Sequence, residues 1–532
     1  MSTGAQSPSR TSPDPSVPSN VPQMTQADQR PGVSGTNPGA APGEQSAGGV
    51  SASAVKTAQA SADSLGEAGH SRKDVETGSA FGIQNYPNLF FAPDQVVNND
   101  WFHSDEAAWP RMMCENWSKE LWASAPWSVI NKTVTPPSGD MRDYLSFAVY
   151  YWPDCSEAGN TTELADEEMW NTCKYVRRDG IFNPDIYLIQ NPQALINVSN
   201  YVFLTALAYA STGNPEYSAN LDYALHTFFV NEETKMNPNL NYAQTVRGPG
   251  YSKGKHTGVL DMTVIAKIIS GVNVMKALKP AEWRQETEDG FLTWVTQQIT
   301  WMETSELALE ELAAPNNHAT FAYNQLSALY AFVGNNDMAK QALEKFYNGV
   351  YLGQIWPDGD QYYESLRTRP YHYRAYNLLA LVTNAEIGDF VGLEPSGWER
   401  KTNAGTGLRE ALEFAMQQDP EATEEDNQRK QLAPSVAAAI RKFGDPDGKY
   451  ADFLYTIDPY YINQPWYALN VGITDSGIKW GILETTYGAI PAQPTRPVPS
   501  KTASQAAGAK RTWVPRGSGH MAGMVAPTDL PL

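Results

Sequence analysis

Two kinds of helical segment alternate along the middle of this chain, and this alternation restricts the folds open to it most strongly. Segments 258–278 and 371–387 are apolar on nearly every side, whereas 282–302 and 337–349 are amphipathic with a charged face. A helix that is apolar all round belongs inside a protein, and an amphipathic helix belongs at its surface. We therefore predict an all-α fold, an α/α toroid in which inner and outer helices alternate. Further helices are predicted at 104–123, 195–212, 216–230 and 428–443.

The two ends of the chain differ in composition from its middle. Residues 1–80 are rich in Ser, Gly, Pro, Ala and Gln, and residues 491–532 begin with a Pro-rich run. Such segments bury too little apolar surface to fold. We predict that both are disordered and that residues 81–490 form one domain. Within it, segments 131–160 and 233–257 lack helix signals, and we expect these long loops to line one mouth of the toroid.

The composition limits the partners of the protein. Its formal net charge of −20 argues against nucleic acid or an anionic membrane as a partner. A local cluster of arginines could still bind an acidic polysaccharide. The sequence has no apolar run of about 18 residues, so no membrane span is predicted. We expect the protein to be a monomer.

Sequons and cysteines bear on where the protein works. Four glycosylation sequons favour secretion, and they begin at Asn116, Asn131, Asn160 and Asn197. The first residues, MSTGAQSPSR, do not form a signal peptide as they stand. Cys155 and Cys173 flank a polar loop and could form a disulfide, with Cys114 left over; three buried thiols are the alternative. We expect a secreted, extracellular enzyme.

The segment 315-PNNHATFAYNQLSALYAF-332 predicts a helix with polar side chains at its start. Apolar residues follow His318 at spacings of 4, 8, 11 and 15, so His318 heads the apolar stripe of this helix. Inward polar side chains are costly unless they have partners. Asn317 and His318 are therefore candidate site residues. A hydrogen-bonded core histidine is the alternative, and a lone histidine on an apolar face more often has that role.

A second segment, 364-ESLRTRPYHYRAYNLLAL-381, places cations at the start of a buried helix. Arg367, Arg369 and His372 lie before or within its first turn, beside Tyr373. Cations at a helix start oppose the helix dipole, and an anionic ligand would offset this. A solvated basic turn is the alternative.

A third segment, 244-QTVRGPGYSKGKHTG-258, contains glycines that allow a close approach of the backbone to a ligand. It offers Gln244, Arg247 and His256 as candidate binding residues. On its own this signal is weak, and a flexible basic loop is the alternative.

The residue types in these segments favour one kind of chemistry. The chain has no nucleophile elbow, Walker loop, dinucleotide fingerprint or His-x-x-x-His pair, so no metal and no cofactor are predicted. Asn, His, Tyr and Arg suit the removal of a proton next to a carboxylate, such as the C5 proton of a uronate. Amide and guanidinium donors stabilise the developing charge, and a Tyr or His moves the proton. Loss of the 4-linked sugar would complete a β-elimination.

The chain resembles the alginate lyase family of polysaccharide lyases, including relatives that act on polyuronates such as glucuronan. The resemblance rests on seven blocks in one order, at 143–155, 175–185, 207–218, 235–248, 254–262, 316–332 and 358–381. It implies an α/α toroid and metal-independent β-elimination. Arg367 precedes Tyr373 by six positions, a spacing typical of the polyuronate relatives rather than of the best-known bacterial alginate lyases.

The resemblance also implies roles for individual residues. Asn317 would neutralise the substrate carboxylate, His318 would be the catalytic imidazole, and Tyr373 would act as acid, and in many members also as base, with Arg367 beside it. Further residues of the seven blocks are predicted to bind substrate, namely His256, Arg247, Gln244, Trp152, Tyr150, Arg178, Arg369 and His372.

Two other functions stay open at the level of sequence. A glycoside hydrolase on a similar toroid would need two carboxylates across its cleft. Asp358, Asp360 and Glu364 are the only cluster of carboxylates close to the arginines in sequence. The second alternative is a helical scaffold that binds sugar without catalysis.

Overall fold

A computed structural model gives the fold of the chain. It describes residues 90–98, 100–104, 107–158, 164, 166–458, 461, 464–467 and 469–470, all of which belong to one compact unit, Val50–Leu532. The tails predicted at 1–80 and 491–532 lie outside the described residues, and so does Asn160 of the third sequon. The predicted domain limits, 81 and 490, stay predictions.

The described part of the chain is mainly helical. Its first helices are α1 (Asp94–Val97), α2 (Asp100–His103), α3 (Ala108–Trp122), α4 (Asp166–Thr172), α5 (Asn191–Thr212), α6 (Pro215–Phe229), α7 (Ile265–Leu278) and α8 (Gln285–Thr304). They are followed by α9 (Glu306–Leu312), α10 (Asn317–Phe332), α11 (Asn336–Tyr347), α12 (Tyr362–Ser365), α13 (Pro370–Val391), α14 (Leu408–Met416), α15 (Ala433–Phe443), α16 (Lys449–Ile457) and α17 (Pro465–Tyr467). Short 3₁₀ helices lie at Pro184–Leu188, His256–Met262, Val350–Gly353, Pro420–Thr423 and Asp426–Leu432.

Six helices form the inner layer of the fold. Helices α3, α5, α7, α10, α13 and α15 pack in this order, each against the next. Every residue of α10 is buried, as expected for a helix surrounded by others. The predicted apolar helices are thus the inner ones.

The amphipathic helices form the outer layer. Helices α6, α11, α14 and α16 each pack against the inner helix that precedes them, and α8 packs against α6 and α10. Helix α11 buries only one face, made by Ala339, Ala342, Leu343, Phe346 and Tyr347. This spacing is that of a single helical stripe. The fold is the predicted α/α toroid.

Two helices begin well after their predicted starts. The segment predicted as one helix at 258–278 begins as a 3₁₀ helix. The chain passes very close to Ala243 at this point, since a Cβ at Gly258 would lie 2.5 Å from the backbone oxygen of Ala243. The segment predicted at 428–443 is a regular α-helix only from Ala433. Pro434 lies in its first turn, where its missing N–H costs nothing, and it disfavours a helix that continues upstream.

Both segments without helix signals contain short strands. Strand β1 (Leu145–Phe147) pairs in parallel with β4 (Tyr242–Thr245), and β2 (Tyr151–Asp154) pairs antiparallel with β3 (Lys174–Arg177). Cys155 and Cys173 form a disulfide just beyond the β2–β3 pair, whereas Cys114 is a buried thiol. The two segments are therefore joined by a pair of strands.

Two apolar stretches, Asn191–Thr212 and His256–Leu278, are long and apolar enough to cross a membrane by length and composition. However, 78% and 94% of their most apolar windows are buried inside the toroid. Inner helices of this fold need such a composition, and the prediction that no membrane is bound stays a prediction.

Candidate active site

Tyr373 lies in the first turn of α13 and is fully buried. Its hydroxyl oxygen is 3.4 Å from Nη2 of Arg367 and 3.4 Å from the hydroxyl of Tyr150. The guanidinium carbon of Arg367 lies 4.2 Å from the centre of the Tyr373 ring. The contacts to the hydroxyl are longer than ordinary hydrogen bonds, and catalytic contacts often tighten only when substrate binds. Three of the predicted site residues therefore meet at one hydroxyl group.

A buried carboxylate, that of Glu425, lies at the start of α13. The carboxylate of Glu425 accepts the backbone N–H groups of Tyr371 and His372, each at 2.9 Å. A carboxylate at this position satisfies the first-turn donors and complements the helix dipole. A side chain of the protein thus supplies a negative charge at this helix start, and an anionic ligand beside Arg367 stays a prediction.

Asn317 begins helix α10 and is held by a second buried carboxylate. Its backbone N–H donates to Oε1 of Glu364 at 2.8 Å, and its side-chain Nδ2 donates to Oε2 at 2.6 Å. Burial raises the pKa of Glu364 to about 7, while its hydrogen bonds to Asn317 and the charges of Arg367 and Arg374 oppose the shift. The carboxylate therefore links Asn317 electrostatically to the arginine beside Tyr373.

His318 and His256 share one carboxylate. Oε1 of Glu311 lies 2.7 Å from Nδ1 of His318, and Oε2 lies 2.6 Å from Nδ1 of His256. The ring centres of the two histidines are 6.1 Å apart. Burial raises the pKa of Glu311 to about 7, and the hydrogen bond from His256 opposes the shift. When Glu311 is ionised, its hydrogen bond with His256 keeps the proton of that ring on Nδ1, and the carboxylate oxygen 2.7 Å from Nδ1 of His318 favours the same tautomer there.

The same three residues are the one group in the described part of the chain with the composition of a metal site. Two atoms bound to one zinc ion at about 2.1 Å each in tetrahedral geometry lie about 3.4 Å apart. The Nδ1 atoms of His256 and His318 lie only 2.6 and 2.7 Å from the oxygens of Glu311. These are hydrogen-bond distances. The geometry fits a carboxylate that orients two imidazoles better than a set of ligands around a metal ion.

The β2–β3 hairpin approaches Arg367 and Tyr373. Tyr150, which contacts Tyr373, immediately precedes β2, and Asp179 in the loop after β3 lies 3.9 Å from Nη2 of Arg367. The guanidinium carbon of Arg178 lies 5.4 Å from the centre of the Trp152 ring; Arg178 is exposed and Trp152 is partly exposed. The predicted substrate residues Tyr150, Trp152 and Arg178 thus belong to one hairpin at the edge of the site.

Arg247 has contacts that differ from the predicted role. Its guanidinium forms an ion pair with Asp185 and lies 4.4 to 5.3 Å from the rings of Phe147, Trp170 and Tyr175. The side chain is only 6% exposed. These contacts hold the β2–β3 hairpin to β1 and give Arg247 a packing role, while its predicted contact with substrate stays a prediction.

Gln244 is also engaged internally. Its Nε2 donates to Asp261, its Oε1 accepts from Thr257, and its backbone N–H donates to Ser146. Both ends of the amide are used, so the predicted contact with substrate is not supported. Its φ of 49° is strained for a residue with a side chain, and the three hydrogen bonds stabilise this conformation.

The last two predicted binding residues lie on either side of Pro370. Nδ1 of His372 is 2.6 Å from Oε1 of Gln431, and the ring stacks on Tyr376. The guanidinium carbon of Arg369 is 6.0 Å from the centre of the Tyr373 ring. Arg369 is thus placed close to the site, whereas His372 faces the 3₁₀ helix Asp426–Leu432.

The sequence reasoning missed Glu311 and Glu425, and it considered Glu364 only as a carboxylate of a hydrolase. Glu311 follows the buried Ala308 by three positions and precedes the buried Leu312. A charged residue on the apolar stripe of a helix was therefore the available signal. Glu425 had no comparable signal, because it lies among exposed acidic residues.

The alginate lyase family model matches residues 128–426, which is more than half of the 532 residues. The chain belongs to the alginate lyase family. The matched range contains every residue of the candidate site. As a member of this family the protein is a polysaccharide lyase, and an acidic polysaccharide is its class of substrate.

A solved structure of an alginate lyase shares this fold. An alginate lyase from Bacteroides ovatus is 26% identical to this family member, with a TM-score of 0.62 over 72% of this chain and 98% of that chain. Alginate lyase A1-III from Sphingomonas species A1 is 16% identical, with a TM-score of 0.39 over 67% of this chain and 92% of that chain. No curated protein sequence matches the chain.

Proposed function

We propose that this polysaccharide lyase cleaves a 4-linked polyuronate of the alginate or glucuronan type by β-elimination. The C5 proton leaves, the bond between C4 and the glycosidic oxygen breaks, and a C4–C5 double bond forms at the new non-reducing end. The departing oxygen receives a proton. Asn317 and Arg367 bind the carboxyl group, and His318 and Tyr373 move the protons.

The single observation that carries this proposal is the environment of the Tyr373 hydroxyl. A phenol group lies beside a guanidinium, with a second phenol at the same distance. In this proposal Arg367 contacts a uronate carboxylate and the hydroxyl of Tyr373 contacts the sugar ring, which requires the fully buried Tyr373 to become accessible when substrate binds. Donors placed where charge develops provide the main stabilisation in reactions of this type.

Two assignments of the base are compatible with this arrangement. Tyr373 can remove the C5 proton as a phenolate and return a proton to the leaving oxygen. Alternatively, Nε2 of His318 removes the proton, and the neutral phenol of Tyr373 protonates the leaving oxygen. Both require the hydroxyl of Tyr373, and the second also uses His318, whose Nδ1 lies beside Glu311.

The carboxylates of a rival hydrolase have other partners. Asp360 forms an ion pair with Arg374 at 2.8 Å, and Asp358 accepts the backbone N–H of Asp360. Glu364 is buried and holds Asn317. A pair of carboxylates across a cleft is therefore not supported by these three residues, which favours elimination over hydrolysis.

Secretion is part of the proposal. The disulfide between Cys155 and Cys173 supports an oxidising compartment, because such bonds are rare in reducing ones. A polymeric substrate outside the cell agrees with this.

The test is a panel of polymers that includes polymannuronate, polyguluronate and glucuronan. Incubation with one of these polymers is expected to give an ultraviolet-absorbing unsaturated uronate and shorter chains. Shorter chains without this absorbance would support a hydrolase. Binding without chain cleavage on every polymer would support a sugar-binding scaffold, and either result would contradict the proposal.

A further inference from the structure

Trp356 is an exposed tryptophan in the segment that leads to Glu364 and Arg367. The residue is 47% exposed, and its ring stacks on that of Tyr362, with the ring centres 4.5 Å apart and the planes 9° from parallel. Tyr362 therefore covers one face of the indole and leaves the other face to solvent. Such an apolar surface is a candidate contact site when further features of the structure support one.

The turn that carries Trp356 is fixed to helix α13. The backbone N–H of Trp356 donates to the carbonyl oxygen of Asp360 at 2.8 Å, and the carboxylate of Asp360 forms an ion pair with Arg374. The side chain of Gln361 donates to the carbonyl oxygen of Arg374 and accepts from Nδ2 of Asn377. Arg374 and Asn377 both belong to α13, which also carries the phenol of the proposed site. An aromatic face held in this way loses little conformational entropy when a ligand binds.

The Trp356–Tyr362 stack lies close to the arginine that is proposed to bind the substrate carboxylate. Tyr362 begins helix α12, and Arg367 follows it by five residues, which limits the distance between their Cα atoms to about 18 Å. The helical turn between them shortens this distance further. Leu366, next to Arg367, is 67% exposed, so both ends of this short segment present apolar surface. A polymer bound at Arg367 is therefore long enough to reach the stack with another of its sugar units.

The chemistry of a sugar ring suits this surface. One side of a pyranose ring presents mainly C–H groups, which pack on the electron-rich face of an aromatic ring. Asp358 lies in the same turn and is exposed, so a carboxylate that pointed towards the turn would be repelled. A uronate unit on Trp356 would therefore contact it through C–H groups, with its carboxyl group turned away from Asp358.

We propose that Trp356, supported by Tyr362, is a binding platform for a uronate unit outside the linkage that is cleaved. The platform contacts an uncharged part of the sugar and takes no part in the proton transfers. The inference rests on the proposed function and extends it, because it makes the affinity for substrate depend on the length of the sugar chain.

Trp356→Ala removes the platform. Its KM on long chains is expected to rise about tenfold, the effect of a lost aromatic contact, with a much smaller change in kcat. The substrates are oligouronates of increasing length, prepared from the polymer that is cleaved fastest. For the native protein kcat/KM should rise with length until the chain reaches Trp356, and the variant should lose this rise. Trp356→Phe keeps an aromatic face and should recover part of it.

Tyr223→Ala is the matched control. Tyr223 is 51% exposed and also packs on an aromatic ring, that of Trp122, with 6.3 Å between the ring centres, but it lies on the outer helix α6. Its removal should leave the dependence of kcat/KM on chain length as it is in the native protein. Melting temperatures of all variants identify any loss that is caused by unfolding.

Binding is measured separately by titrating the same oligouronates into Tyr373→Phe with and without Trp356→Ala. The double variant is expected to bind the longest oligouronate about tenfold more weakly, with a smaller change for the shortest. Equal affinities for the longest chain, or an equal loss for the longest and the shortest, would overturn the inference. Either result leaves the proposed function intact. A native protein that forms no unsaturated product from any polymer would instead contradict the proposed function, and the binding series would still test the platform.

Discussion

The hydroxyl oxygens of Tyr150 and Tyr373 lie 3.4 Å apart, although the two residues are 223 positions apart in the chain. Tyr373 comes from an inner helix, and Tyr150 comes from the turn before the β2–β3 hairpin. Both side chains are buried. Desolvation raises the pKa of Tyr150 well above its ordinary value, so this phenol is neutral and can donate a hydrogen bond to Tyr373.

Tyr150→Phe is expected to slow turnover by about fivefold, because a lost hydrogen bond contributes about 1 kcal/mol. The ring would stay in place, so the melting temperature should change little. The measurement is the steady-state kcat of Tyr150→Phe and of the native protein on the polymer that is cleaved fastest. A loss as complete as that of Tyr373→Phe would contradict this secondary role and make Tyr150 a proton-transfer residue.

Glu311→Gln is expected to reduce kcat at least tenfold with a smaller change in KM. The amide can accept from only one imidazole and must donate to the other, so one histidine is forced to carry its proton on Nε2. Glu310→Gln is the matched control, since Glu310 is 64% exposed and lies 3.4 Å from Nε2 of His256. Equal rates for the two variants would contradict a role for the shared carboxylate.

A chelator is expected to leave activity unchanged. The distances from Glu311 to His256 and His318 are those of hydrogen bonds, and the proposed reaction needs no Lewis acid. Rates after prolonged dialysis against EDTA would check this. Loss of activity that zinc or calcium restores would show that these residues hold a metal.

The melting temperature is expected to fall between pH 5 and pH 7.5. Burial raises the pKa of Glu311 and Glu364 to about 7 and that of Asp261 to about 6. In this pH range the folded protein keeps protons that the unfolded chain has released, so the free energy of unfolding falls as pH rises. The lowered pKa of Lys267, about 7, acts mainly above this range and in the opposite direction. Calorimetry at both pH values tests this, and a melting temperature that is equal or higher at pH 7.5 would contradict it.

The layered arrangement of the fold could be predicted because it depends on patterns repeated over many residues. Helices α7 and α13, whose segments are apolar on nearly every side, are inner helices, and α11 buries the single stripe that its spacing predicted. The position of His318 at the start of α10 followed from the same periodicity. Helix limits near Gly258 and Pro434 were less accurate, because close approach of strand β4 and the geometry of a proline are local effects.

The partners of the site residues could not be predicted in the same way. Arg247 is a cation in a loop near other candidates, and only the structure shows that Asp185 and three aromatic rings surround it. Glu364 and Glu311 act through contacts with α10 from other parts of the chain. Sequence spacing carries no information on such pairings.

The most direct test of the account is Tyr373→Phe compared with Tyr371→Phe. Both variants remove one hydroxyl from helix α13, but the hydroxyl of Tyr371 donates to the backbone of Arg429, outside the site. We expect Tyr373→Phe to fold, to bind an oligouronate and to release almost no unsaturated product, with kcat reduced by at least about 10³-fold, of the order expected when proton transfer is lost. Tyr371→Phe should retain most of its activity. Substantial release of unsaturated product by Tyr373→Phe would show that this hydroxyl does not take part in the elimination.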